Sequence, residues 1–458
     1  MCEQAGVPSV SLTCEGFQTQ FVASSLGLRV PGVASALVPS RPDLQTDAEL
    51  RENIFKVTTD AVVAGLTTSS AAAAAAHETH PREPYFSGSF EAVNRRFIKE
   101  RLSDGLPVVP PTRERIEEFL AWTQRSPDEI LGTPLPDQRE ATIWSIAVNG
   151  VMAGCRPEYM PILVALVEAM VDPNYGVEHS GNTPGSETLI IVNGPIIKDL
   201  GFNYLQGALR DGFQPNTAIG RFWRLFQQNV AGFHLHQTDK GTFGNTWRVV
   251  LAENEDVLSE IGWPPNSVEM GHQAGDNTVT IARYTGGNVL VSVAGSTPEE
   301  LLPYVAEQIE RMVSWHIMFT VGARHGSLRP LLILSPILAR TIAKAGWSKD
   351  DVKTYLWEHA RKPAWEVERQ RARDHLTQWD LAEAVKKGIV PKVFHESDDP
   401  NRMVPIVCKR EDFMIAVSGD LMRNNCYVFA HNGNLGYPTG KRIELPVDWK
   451  QRLAALPD

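Results

Sequence analysis

The sequence predicts an α/β protein in two unequal parts, and three observations predict it. A strand, helix, strand, helix order fills residues 1–66. A low-complexity stretch follows at 67–88, where Thr67-Thr68-Ser69-Ser70 runs into six alanines and then Pro81 and Pro84. From 89 to 458, short apolar runs alternate with longer stretches of helical period, the order of helices packed on a sheet.

In the first part, Val7–Thr13 is an apolar run ended by Cys14-Glu15-Gly16, which reads as a buried strand. Phe17–Leu26 fits a helix, Val33–Val38 a second strand, and Asp47–Leu66 a helix through Leu50, Ile54, Val57 and Ala61. Two parallel strands cannot cover both faces and both edges of a sheet. About 66 residues is also a marginal size for an independent core. The unit therefore reads as half of a sheet that a protein partner completes. The stretch 67–88 reads as a linker, because alanine carries no helix cost and the prolines stop whatever it starts.

In the second part, helices are expected at Arg113–Thr123, Ala141–Met152, Pro157–Val171 and Thr217–Val230. Strands are expected at Thr188–Val192, Thr246–Ala252, Thr278–Tyr284, Val289–Val293 and Leu331–Leu334. Thr297-Pro298-Glu299-Glu300, Ser335-Pro336 and Ser348-Lys349-Asp350-Asp351 open further helices by proline, acidic or capping signals. Val404–Val407 and Phe413–Val417 read as late strands, and 295–300 as a possible subdivision.

A hydrophobic share of 43% with 21% charged residues is that of a globular chain. The net charge of −10 and the lack of a basic stripe argue against nucleic acid and anionic membrane as partners. The longest apolar stretches, such as Met160–Val171 with Glu168 inside it, are too short to span a bilayer. Five cysteines at irregular spacing form no disulfide framework, so a cytoplasmic protein is expected, and an oligomeric one.

Cys14 ends a strand just before a helix, where a helix N-terminus would favour its thiolate; the plain alternative is a small buried residue. Cys155 precedes a helix that Pro157 can start, and Arg156 adds a positive charge, with a packed turn as the alternative. Cys2, Cys408 and Cys426 read as structural. His234 and His236 at i and i+2 would share one face of a strand, as a metal pair requires. Glu253, Glu255, Glu269 and His272 could complete a site for zinc, iron or copper, and Glu253 is also a catalytic candidate. Asn193-Gly194-Pro195 and Ser418-Gly419-Asp420 follow apparent strands and could bind an anionic cofactor group. No dinucleotide, phosphate-loop, nucleophile-elbow or zinc-helix fingerprint occurs.

The stretch VPSVSLTCEGF at 7–17, continuing to about Leu66, resembles the middle of the UGSC family of (seleno)proteins. Cys14 matches the cysteine at a strand end in that family. The family's selenocysteine- or cysteine-Gly-Ser-Cys motif lies upstream of this strand, so the resemblance implies that a separate polypeptide or preceding sequence supplies it. DGLPVVPPT at 104–112, NGVMAGCRPEYMP at 149–161, VNGP at 192–195, NTAIGR at 216–221, AENE at 252–255 and AGWSKDDV at 345–352 resemble bacterial proteins that accompany such domains. The resemblance implies thiol-dependent oxidoreductase chemistry on a small molecule, with Cys14 or Cys155 and a partner's chalcogen at one pocket. A metal-dependent lyase or oxidoreductase at His234 and His236 is the second expectation, and a non-catalytic subunit of a heteromeric enzyme the third.

Overall fold

The computed structural model describes residues 7–27, 32–67, 82–245, 247–313, 328–372, 381–432 and 436–456. Cys2, most of the 67–88 linker, and His77 and His80 within it lie outside the described residues. The protein is α/β, with a small parallel sheet and a larger mixed sheet curled into a half-barrel.

Strands β1 (Val10–Cys14) and β2 (Ala34–Val38) pair in parallel, with Leu12 opposite Ala36. They form a two-stranded sheet that pairs with no other strand among the described residues. Thr46 opens the helix Asp47–Asn53 through a capping box with Glu49. The helix Thr59–Thr67 lies on the sheet through Gly65, where a Cβ would come within 2.6 Å of Val10 and 2.7 Å of Ala34. Little of this unit's apolar surface is covered: Leu12 is 63% exposed and Phe55 72%. About 25 cal/mol per Å² is forgone wherever such surface stays in water.

The large part adds β3 (Ile130–Gly132), β4 (Ala141–Thr142), β5 (Glu187–Asn193), β6 (Val250–Ala252), β7 (Thr278–Leu290), β8 (Leu331–Leu334), β9 (Arg361–Pro363), β10 (Met403–Pro405), β11 (Met414–Val417), β12 (Cys426–His431) and β13 (Thr439–Arg442). The main sheet runs β11-β8-β12-β7-β5-β6, with β13 beside β7. Strands from both sides of residues 295–300 thus hydrogen-bond in one sheet. The sequence suggests two strands at 278–284 and 289–293, but β7 is continuous. Gly286 and Gly287 stay in the strand as partners of Ala430 and Phe429 on β12, and the Tyr427 and Phe429 rings lie over Gly287, where a Cβ would sit 2.4 Å from the Tyr427 ring.

Period-two alternation explains the layers. Leu189, Ile191, Leu251, Ala282, Tyr284, Leu331, Ile333, Met414, Ala416 and Phe429 point to the inside of the curl and form one buried cluster. On the outside, Ile190, Val192, Val250, Val279 and Ile281 meet the helices Ile143–Ala153, Met160–Val171 and Gln214–Phe226. Leu332, Leu334, Ile415, Val417 and Val428 meet the helices Pro298–Val313, Pro336–Lys344 and Lys349–His359. Met160–Val171 is apolar on every side because it is buried on every side but one. No helix among the described residues is long and apolar enough to cross a membrane.

Candidate functional site

The inside of the curl turns polar at one end, and the strand period dictates which residues stand there. Continuing Leu189 and Ile191 by two residues reaches Asn193, and continuing Leu251 reaches Glu253. Stepping back from Ala282 reaches Thr280 and Thr278, and Thr278 is the register partner of Asn193. Glu253 extends the ladder past β6, since its N–H donates to Val192 O at 3.2 Å. This end also ties the two edge strands together: Asn254 N donates to Val417 O at 2.7 Å, and Ser418 Oγ to Ala252 O at 2.8 Å.

Glu253 is 1% exposed and is held by four donors. Asn193 Nδ2 and Asn266 N each donate to Oε2 at 2.7 Å, and Val417 N donates to Oε1 at 3.2 Å. The Lys349 ammonium lies 3.5 Å from Oε1. Burial pushes the Glu253 carboxyl above the ordinary range, opposed by the Lys349 charge and the hydrogen bonds from Asn266 and Asn193. With only donors around it, the geometry is that of a carboxylate, and any proton it takes must displace one of them.

Lys349 is 1% exposed, at the first position of the helix that Ser348 and Asp351 open with a capping box. Its ammonium donates to Ile415 O at 3.0 Å and to Glu269 Oε2 at 3.3 Å. One turn later, Lys353 donates to Glu269 Oε1 at 2.5 Å. On the other flank, Glu255 Oε1 accepts from Asn193 Nδ2 at 2.9 Å and from Gly194 N at 2.8 Å. Gly194 has φ +98, and a Cβ there would lie 2.5 Å from Asp276 O, so only glycine lets the backbone approach.

These groups form one array: Glu255, Asn193, Glu253, Lys349, Glu269 and Lys353. It ends at a pocket of about 250 Å³ walled by Asn266, Glu269, Lys353, Arg329, Phe413 and Tyr437. Arg329 is paired with Asp412 at 2.9 Å and stacked 5.5 Å from the Tyr437 ring centre. Such a pocket can hold a small polar molecule against two carboxylates, Glu269 and Glu411, and two cations, Lys353 and Arg329.

Of the residues singled out from sequence, Asn193, Gly194, Glu253 and Glu255 come together, and Glu269 joins them. Lys349, Lys353 and Asn266 were not anticipated. A signal existed: both lysines share the buried helix face of Val352 and Leu356, where lysine is rare unless paired. A second unanticipated centre lies elsewhere. Arg221 and Arg248 there, each 2.9 Å from Asp104, hold its carboxyl below the ordinary range against the upward push of burial.

The metal set does not assemble. His234 and His236 lie in a turn, not on a strand: His234 O accepts from the N–H groups of Gln237, Thr238 and Asp239, and His236 has φ +68. Burial lowers the His234 pKa, opposed by Asp137 at 4.0 Å. His272 packs against Gly440 of β13, while Glu255 is spent on Asn193 and Gly194. No group of three or more His, Cys, Asp or Glu among the described residues could hold a metal ion.

Cys155 is also corrected. Burial pushes its thiol well up, with Arg221 opposing, the reverse of the expected activation. Arg156 turns away to Glu158, 2.6 Å off, and to the Tyr159 ring. Cys155 N closes the preceding helix on Gly150 O at 3.0 Å, so the residue is a packed turn. Cys14 is half-buried at the end of β1, and Cys155 belongs to the helical core of the large part, so the two thiols sit in different surroundings. Cys426 is buried and pushed up to about 12, and Cys408 is half-buried. No protein-family model matches the chain, and neither does any curated protein.

Proposed function

We propose that the chain is an enzyme acting on a small polar molecule in the Glu269–Lys353 pocket. Glu269 and Lys353 serve as its proton-transferring wall, and Glu253 and Lys349 position them from behind. The observation that carries this reading is the alternating run Glu253, Lys349, Glu269 and Lys353, three of them buried and Glu269 partly exposed, that ends at an open pocket. Each buried ion costs several kcal/mol of desolvation, so a run of paired charges opening on a cleft is held there against that cost, and Glu253, whose carboxyl burial pushes up, stands directly behind it. The test is to incubate the purified protein with a small-molecule extract and follow losses by mass spectrometry. Folded Glu269→Gln and Lys353→Met variants are expected to consume the wild-type substrate at least about 100-fold more slowly. Consumption at the wild-type rate in both overturns the reading.

A second reading is thiol-dependent oxidoreductase chemistry at Cys14, completed by a partner polypeptide. It is supported by the two-stranded sheet with no further strand paired to it among the described residues, and by the exposed Leu12 and Phe55. Pulldown with strand-bearing neighbours, followed by assay of Cys14→Ser, tests it. Full activity of that variant in the complex would leave only a structural role for the small unit.

A further inference from the structure

A larger cavity, separate from the charged array, lies on the helical side of the molecule. Its volume is about 780 Å³, within the roughly 300–1,000 Å³ of small-molecule sites. Its floor is the helix Ile143–Ala153, which presents Trp144, Val148 and Met152 at intervals of four residues. Phe90 and Phe97, one from each end of the helix Phe90–Lys99, form a side wall. The segment 82–88 completes the lining and carries Tyr85 and Phe86.

That segment is held by contacts near both of its ends. The Arg96 guanidinium lies 5.0 Å from the Tyr85 ring centre and 4.8 Å from that of Phe86, and the Tyr85 hydroxyl donates to Glu100. Arg82 pairs with Asp128 and sits 4.9 Å over Trp144. So held, the segment walls the cavity beside its floor, with Arg82 reaching over Trp144. The charged lining residues are Arg82, Glu83 and Arg113, and Arg82, which reaches over Trp144, is already paired with Asp128. An ionised group carried down to the floor would meet there a guanidinium whose charge Asp128 already balances, a costly burial. Flat rings suit the aromatic walls, which offer edge and face contacts.

We infer that this cavity is a binding site for an uncharged, ring-bearing organic molecule. Isothermal titration calorimetry of the full chain with 2-naphthol tests it. The expected result is saturable one-to-one binding with Kd below about 1 mM for a ligand of this size. Val148→Trp, whose indole fills the floor, is expected to weaken binding at least about tenfold. A photoreactive aryl diazirine of the same ring size is expected to label peptides from 82–99 or 143–153. Absence of saturable binding, undiminished binding in folded Val148→Trp, or labelling confined to other peptides overturns the inference. Should Val148→Trp not fold, the labelling map decides.

Discussion

Replacing Lys349 by methionine removes a buried ammonium while keeping most of its volume. At 3.5 Å and an effective dielectric of about 20, its attraction to Glu253 is about 4.7 kcal/mol. Asn193, Asn266 and Val417 still donate to the stranded carboxylate, so the expected loss at pH 8 is about 3–5 kcal/mol, the usual cost of breaking a buried pair. The loss depends on pH with a definite sign. The Glu253 pKa is already raised in the folded state from 4.5, and without Lys349 it rises further. A raised group contributes stability below its unfolded pKa and loses it as pH climbs through the folded value. The Lys349→Met deficit should therefore shrink on acidification toward pH 5 and be greatest above the folded pKa of Glu253. Adding Glu253→Gln should restore at least half of it at pH 8, because no charge then remains unpaired. Urea unfolding followed by tryptophan fluorescence from pH 5 to 8 measures all three variants. A Lys349→Met deficit under about 1 kcal/mol at pH 8, or one that grows on acidification, refutes the reasoning.

Other outcomes follow from single contacts. Gly194→Ala puts a Cβ 2.5 Å from Asp276 O at a left-handed φ, and should lower stability by at least about 1–3 kcal/mol in the same assay. Leu251→Ala, at a fully buried position inside the curl, should cost about 2–5 kcal/mol; a loss under 1 kcal/mol would mean that the interior is not closely packed. Under native conditions at pH 8, iodoacetamide should modify Cys14 ahead of Cys155 and Cys426, whose thiols are pushed up by burial. Peptide mass spectrometry reads the order, and equal rates for Cys155 and Cys14 would contradict the placement of Cys155.

The sequence by itself determined what depends on neighbours along the chain. Ser348 three residues before Asp351 marks a capping box, and the helix Lys349–His359 starts there. Leu331–Leu334 reads as a buried strand from its apolar run alone and is one. The strand count of the first part, two among the described residues, was likewise legible, because alternating helix and strand signals are local. Asn193 and Gly194 could be suspected because they follow an apolar strand, whereas Glu253 and Glu255 read as metal ligands, a role that the described residues do not assemble.

Tertiary structure decided everything that depends on distance in space. The single strand β7 exists because two aromatic rings of β12 lie over Gly287, 140 or more residues earlier in the chain. His234 and His236 lost their strand to a turn fixed by three backbone hydrogen bonds. Cys155 acquired the opposite of its expected ionisation because desolvation outweighs the opposing charge of Arg221, while Arg156 turns to Glu158. Lys349 meets Glu253 and Glu269 from 96 and 80 residues away. A side chain's periodicity fixes the face it occupies, but its charge state follows from what the rest of the chain brings against that face and from how much water is left there.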